Sequence, residues 1–341
     1  MTTSTAATTT VLKSLNGAMH AMMEADERVL LIGEDLLDPY GGAFKVARGL
    51  SERFPERVLT TPISEAGFVG VAAGMAMRGM RPIVEIMFGD FLMLAADQLL
   101  NHISKYRWMY NDQVHVPLVI RAPMGARRGY GPTHSQSVEK HILGMPGLHV
   151  VAPSVLHDAG ALLRAAVLDD LSPVVFVENK LMYARRQMSA EGGRIGDLFA
   201  RATSERYPTT TVSWEPFDRA DVTLVAYGGM VELALEAAET LFFEDELVVE
   251  VVAPSSLQPL DLAPILDSLK RSGKLVVCEE GTAGAGFGAE VISRVSAEGF
   301  SLLKSAPKRV AARDYPIANT RSLEDMILPQ VADLVRSCRS G

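Results

Sequence analysis

Thr61-Pro62-Ile63-Ser64-Glu65-Ala66-Gly67-Phe68-Val69-Gly70-Val71-Ala72-Ala73-Gly74-Met75-Ala76 places one carboxylate, Glu65, at the mouth of a helix whose next turns are almost wholly small or apolar. Two readings are open. As a helix-end charge behind an N-cap at Ser64, an acid there is favoured by the helix dipole by about 0.3–1 kcal/mol. As a buried chemical tool, a carboxyl group withdrawn from water is suited to share or exchange a proton. The run of Gly67, Gly70, Ala72, Ala73, Gly74 and Ala76 supports the second reading, because it lets something large approach the helix closely.

Short apolar, β-branched runs lie on either side of this stretch, at 29–32, 82–87, 116–120, 149–152 and 173–177. They are of the kind found in buried parallel strands. Helix-like segments at 91–106 and 155–167 fall between them, and such alternation predicts a parallel sheet with helices on both faces. The pattern stops near Tyr183. From 184 to 220 the chain turns polar, with Arg185-Arg186, Gly192-Gly193 and Thr209-Thr210-Thr211, and reads as an interdomain connection. A second set of strands is expected at 222–227, 247–252, 274–278 and 309–312. The expected organisation is α/β throughout. It comprises a disordered tail over 1–11, a doubly wound domain over 12–190, a linker over 191–218 and a second α/β domain over 219–341.

Bulk properties agree. A chain of 341 residues with 48% hydrophobic and 22% charged residues suits two globular domains. No apolar run reaches the roughly 18 residues needed to span a bilayer, and a net charge of -8 argues against a nucleic-acid partner. Residues 1–10 lack the basic start and apolar block of a signal peptide. Cys278 and Cys338 have no paired spacing that suggests a metal site or disulfide framework, which fits a reducing cytoplasm.

Two further segments could carry chemistry. Phe88-Gly89-Asp90-Phe91 follows an apolar run, at the edge where parallel sheets bind ligands; Phe91 reads either as a ring for stacking a heterocycle or as the first core residue of the next helix. The loop Gly125-Ala126-Arg127-Arg128-Gly129-Tyr130-Gly131-Pro132-Thr133-His134-Ser135-Gln136-Ser137 combines backbone access, fixed positive charge and a histidine that titrates near neutral pH. Gly284-Ala285-Gly286-Phe287-Gly288-Ala289 fits a relaxed dinucleotide fingerprint. Too little chain follows it for such a domain, and a structural turn is the better reading.

Together, Gly33-Glu34-Asp35, Thr61 to Phe68, Arg81-Pro82-Ile83-Val84-Glu85, His134-Ser135-Gln136, Leu181-Met182-Tyr183 and the 279–290 segment resemble the beta subunit of thiamine-diphosphate-dependent 2-oxo acid dehydrogenases, relatives of transketolase. The likeness runs from about Leu12 to the C-terminus. It implies a pyrimidine-binding domain, a transketolase-type C-terminal domain, and a heterotetramer of two alpha and two beta chains. By this resemblance Glu65 hydrogen-bonds the cofactor's aminopyrimidine and favours its imino tautomer, Phe91 stacks on that ring, and Glu34 borders the same cavity. His134 stands near the reacting carbon, while Arg127 and Arg128 are candidate substrate ligands. Leu118, Ala166, Val167 and Asp169 fall where some members hold a structural potassium ion, although the family's asparagine near Leu171 is absent.

The Gly-Asp-Gly and Asn-Asn segments that hold magnesium and diphosphate in this superfamily are also absent, so the resemblance assigns both to an alpha partner. Ala253-Pro254-Ser255-Ser256 and Ile317-Ala318-Asn319-Thr320 depart from the family pattern. The leading expectation is decarboxylation of a 2-oxo acid with acyl transfer to a lipoyl arm. The alternatives are transketolase-like cleavage of a ketose phosphate with transfer to a carrier protein, and a non-catalytic scaffold subunit.

Overall fold

The computed structural model describes residues 9–188 and 190–340. Most of the tail expected over 1–11 lies outside these residues. Within them, the Thr10 hydroxyl accepts from the Lys13 N–H and caps a helix that begins at Val11.

Two seven-stranded sheets organise the chain. The first uses β1 (Val29–Gly33), β2 (Val58–Thr60), β3 (Arg81–Glu85), β4 (Val119–Met124), β5 (His149–Val151) and β6 (Val174–Asn179). These run parallel in the order β5-β6-β4-β3-β1-β2. Strand β1 is wholly apolar, and β4 and β5 are apolar apart from Arg121 and His149, because helices cover both faces. The Glu65–Met77 helix buries Phe68, Val69, Ala72, Ala73 and Ala76 against the sheet and leaves Gly67, Gly70, Val71 and Gly74 exposed. A side chain at Gly74 would meet nothing within 4 Å, so packing inside this chain does not explain that glycine.

The expected linker is instead structured. Residues 194–213 form β7 (Arg194–Ile195), β8 (Leu198–Ala202) and β9 (Thr209–Ser213), antiparallel strands of the second sheet. β10 (Val222–Ala226), β11 (Val249–Pro254), β13 (Leu275–Thr282) and β14 (Lys308–Ala312) supply that sheet's parallel part. β9 escapes a hydrophobicity reading because hydroxyl side chains occupy most of it. Threonine nonetheless suits a strand, and all five β9 residues are buried. Between β11 and β13, β12 (Ser256–Gln258) crosses over and pairs antiparallel with β5, completing the edge of the first sheet.

The helices expected at 91–106 and 155–167 are present but interrupted. A 3₁₀ turn spans Gly89–Ala95 and a π-helical stretch spans Gln98–Ile103, while the second segment passes from Ala159–Arg164 into π geometry over Ala165–Asp169. Among the described residues, no helix is long and apolar enough to cross a membrane.

Gly160 marks where Ala159–Arg164 meets the Val11–Ala25 helix. A Cβ there would stand 2.6 Å from the Ser14 carbonyl oxygen, which is backbone and has little room to yield. Gly160→Ala is therefore expected to lower stability by roughly 1–3 kcal/mol through overpacking. Urea denaturation of the two proteins checks this.

Candidate active site

Glu34 leaves β1 at its C-terminal end, Glu65 opens its helix just beyond β2, and the segments after β3 and β4 carry Phe91 and His134. All four therefore gather at the carboxyl edge of the first sheet, where α/β sheets bind ligands. Glu34 and Glu65 are both buried, at 6% and 4% exposure, and close enough that the charge of one acts on the other. Burial pushes the Glu34 carboxyl pKa up, and the charges of Glu65 and Asp35 push it further. Its Oε1 is buried without a hydrogen-bond partner. Ser64 holds the N-cap position without a side-chain capping bond, and Glu65 is the acidic residue of that first turn.

An aromatic cage stands beside the acids. The His134 ring packs edge-on against Phe88 at 4.8 Å and Phe91 at 5.2 Å between centroids, with Tyr130 5.8 Å from Phe88. Its Nδ1 lies 2.9 Å from the Thr133 hydroxyl. Asp90 joins the two loops, its Oδ1 accepting from the backbone N–H of Gln136 at 3.0 Å and from its side-chain amide at 2.9 Å. The Glu65–Met77 helix packs on the Gly89–Ala95 turn, which brings the acids and the cage into one neighbourhood. Beside the His134 loop, a cleft of about 350 Å³ between the two halves is lined by Ser135, Gln136, Lys140, Glu280 and Tyr315.

The two arginines do not act as a pair. Arg127 is committed to the C-terminal region: its guanidinium meets Asp325 at 3.2 Å and the Pro329 carbonyl, and its backbone N–H donates to Glu324 at 3.1 Å. The substrate-ligand reading of Arg127 gives way to a structural one. Arg128 is more exposed and donates to the Lys180 carbonyl at 3.1 Å.

The residues suggested for potassium do not fit a cation either. Arg81 already places a guanidinium on the carbonyls of Val167, at 3.3 Å, and Asp170, at 2.7 Å. A second positive charge beside it would be repelled. The Leu118 carbonyl accepts from the Val174 N–H at 3.0 Å, Ala166 is packed in the apolar core, and the Asp169 carboxylate pairs with Arg164.

Sequence reasoning missed the charges beneath the site. Arg121 of β4 is fully buried and forks onto Glu178 of β6 at 2.7 and 2.8 Å, while its other nitrogen holds Glu85 of β3. The Tyr183 hydroxyl donates to Glu178 at 2.6 Å. Burial opposes the charge on Arg121, but Glu178 and Glu85 outweigh it and push its pKa up. The available signal was a charged residue inside or at the end of each of three largely apolar strands, with complementary signs on neighbours.

A further acid sits at the seam of the two halves. Tyr227 of the C-terminal half donates to Glu139, whose pKa burial pushes up to about 7. Below the ordinary value of 4.5 both folded and unfolded chains carry this proton. Between there and about pH 7 only the folded chain keeps it, so stability falls as pH rises. Glu139→Gln should flatten that segment of the curve, measurable by denaturation at pH 4.5, 6 and 7.5. Arg121→Leu should cost about 3–5 kcal/mol, because it strands two buried carboxylates. Chemical denaturation of the variant checks the size.

The comparisons with known proteins agree with this architecture. The transketolase pyrimidine-binding domain family matches residues 7–185, and the transketolase C-terminal domain family matches residues 217–334. The mitochondrial pyruvate dehydrogenase E1 component subunit beta-2 of Oryza sativa subsp. japonica is 40% identical over 336 residues, covering 97% of this chain and 85% of its own. The corresponding beta subunit of Rickettsia conorii is 37% identical over 338 residues, with 97% of each chain covered. A split-gene transketolase, solved as an inactive beta4 tetramer, shares the fold with a TM-score of 0.74 at 21% identity, covering 97% of both chains. By family, the chain is a beta subunit of the transketolase-type, thiamine-diphosphate-dependent 2-oxo acid dehydrogenases.

Proposed function

We propose that this chain supplies the pyrimidine side of a thiamine diphosphate site, and that an alpha subunit completes the site with diphosphate and magnesium ligands. The assembly contains two alpha and two beta chains, decarboxylates a 2-oxo acid and passes the acyl group to a lipoyl arm. The observation that carries this reading is the buried pair Glu34 and Glu65, with an unpartnered carboxylate oxygen on Glu34, at the ligand-binding edge of the sheet. A nitrogen heterocycle with donors and acceptors around its rim fits such a place. When bound, thiamine diphosphate supplies the carbon nucleophile and stores the electrons that decarboxylation releases.

The protein's own contribution is orientation and proton control. Glu65 holds a proton-sharing contact at the pyrimidine ring nitrogen. Burial and the nearby charges of Glu65 and Asp35 make Glu34 easier to protonate than an ordinary acid. Phe91 offers a ring face to the pyrimidine, and His134, caged by Phe88 and Phe91, presents an imidazole that orients the substrate or hands it a proton. The ketose-phosphate alternative leaned on paired arginines, and Arg127 is already engaged elsewhere. Buried free thiols at Cys278 and Cys338 support a reducing compartment, for which we infer the cytoplasm.

In the assembly reconstituted with its alpha partner, Glu65→Gln should leave complex formation and the melting temperature unchanged while lowering turnover by about 10²-fold or more. Steady-state rates with pyruvate and branched-chain 2-oxo acids, beside size-exclusion profiles, check this. Full activity in the variant would remove Glu65 from the chemistry. Titration of the beta chain alone should show no tight magnesium-dependent binding of thiamine diphosphate, since half of the ligand set is then missing.

A further inference from the structure

Lys180 is a buried cation that the chemistry above does not use. It stands immediately after β6, is fully buried, and its ammonium donates to the carbonyl of His134 itself. The same nitrogen lies 5.0 Å from the ring centre of Phe88 and 5.6 Å from that of Tyr130. Phe88 therefore carries both the Lys180 cation and the His134 imidazole against one ring. The clamp is reciprocal, because Arg128, in the same loop as His134, donates back to the Lys180 carbonyl at 3.1 Å. Two charge-assisted bonds thus join the end of β6 to the loop that follows β4, and these are stronger than neutral ones.

Resting on the placement of His134 in the site, we propose that Lys180 is a positioning residue for His134, its ammonium fixing the 125–137 loop so that the imidazole stays in the Phe88–Phe91 cage. The charged groups around it are Asp90, Glu280 and Glu324, which favour its charge, and Arg128, which opposes it. Burial outweighs the acids and pulls the Lys180 pKa down to about 8. A neutral amine keeps N–H donors but loses the charge-assisted bond and the attraction to two rings. The unfolded chain releases this proton nearer 10.5, so rising pH through that window favours folding as far as this group is concerned. Activity lost there through Lys180 is consequently not lost through global unfolding.

In the assembled enzyme, Lys180→Met should lower kcat by about 10- to 100-fold with KM held within about threefold, and should abolish an alkaline limb near pH 8 in the wild-type kcat profile. Lys180→Arg, which stays charged, should restore part of the rate and move the limb upward. Hydrogen exchange of the 125–137 segment, corrected for intrinsic rates, should accelerate in Lys180→Met, and in the wild type as pH passes 8. An alkaline limb and a loop exchange rate that are both unchanged in Lys180→Met overturn the proposal. Should that variant fail to assemble, unchanged wild-type protection of the loop between pH 7 and 9 overturns it alone. A wild-type assembly without turnover on any 2-oxo acid would reject the functional reading instead, and the exchange measurement, which needs no substrate, still decides the role of Lys180.

Discussion

One guanidinium holds the floor of the site together. Arg121 projects from a central strand into the interior, fully shielded from bulk solvent, and it is tolerable there only because carboxylates from the strands on both sides meet it. Glu85 and Arg121 face each other in register, and Glu178 answers from β6, so the ion cluster also fixes how three parallel strands align. A one-residue slip would turn these side chains to the other face of the sheet and leave bare charges in the core. The same strands end beneath Phe88, the Gly125–Ser137 loop and Lys180. The accuracy of the site is therefore inherited from an interaction below it.

Above that floor the arrangement separates two tasks. Glu34 and Glu65 form an acidic corner in which burial and the neighbouring charges of Glu65 and Asp35 raise the pKa of Glu34. His134, Phe88, Phe91 and Lys180 form a cationic and aromatic corner, in which ring edges and an ammonium set the position of an imidazole. Asp90 bridges the two loops of the second corner through hydrogen bonds to Gln136.

The α/β class, most of the parallel strands and the helix-opening acid Glu65 were legible in the sequence, because apolar runs, glycines and an acid at a helix start each leave a local signature. The three-residue β2 is too short to leave one, and Glu34 stood out only through the family resemblance. The stretch 194–213 was not legible, because β7 is only two residues long, β8 is a short run set in polar surroundings, and β9 is mostly threonine and serine; all three are recognised by their partners in the second sheet. Arg127 was misread for a related reason. Its neighbours in sequence are those of a ligand-binding loop, whereas its partners, Asp325 and Pro329, lie about two hundred residues away. Nothing local in the sequence announces that Lys180, at the end of β6, is buried. The suggested potassium site failed on a contact across the fold, since Arg81 reaches from β3 to the far carbonyls.

The strand that passes from one half of the molecule to the other bears on how the protein is made. Ser256–Gln258 covers β5, and the Gln258 amide donates to the carbonyls of Met145 and Leu148 at 2.7 and 2.8 Å. During synthesis the ribosome releases β5 more than a hundred residues before the segment that shields it. Until then the nascent first half offers an open strand edge of the kind that invites pairing with other chains. Complete closure thus waits for late translation, and the two halves mature as one product.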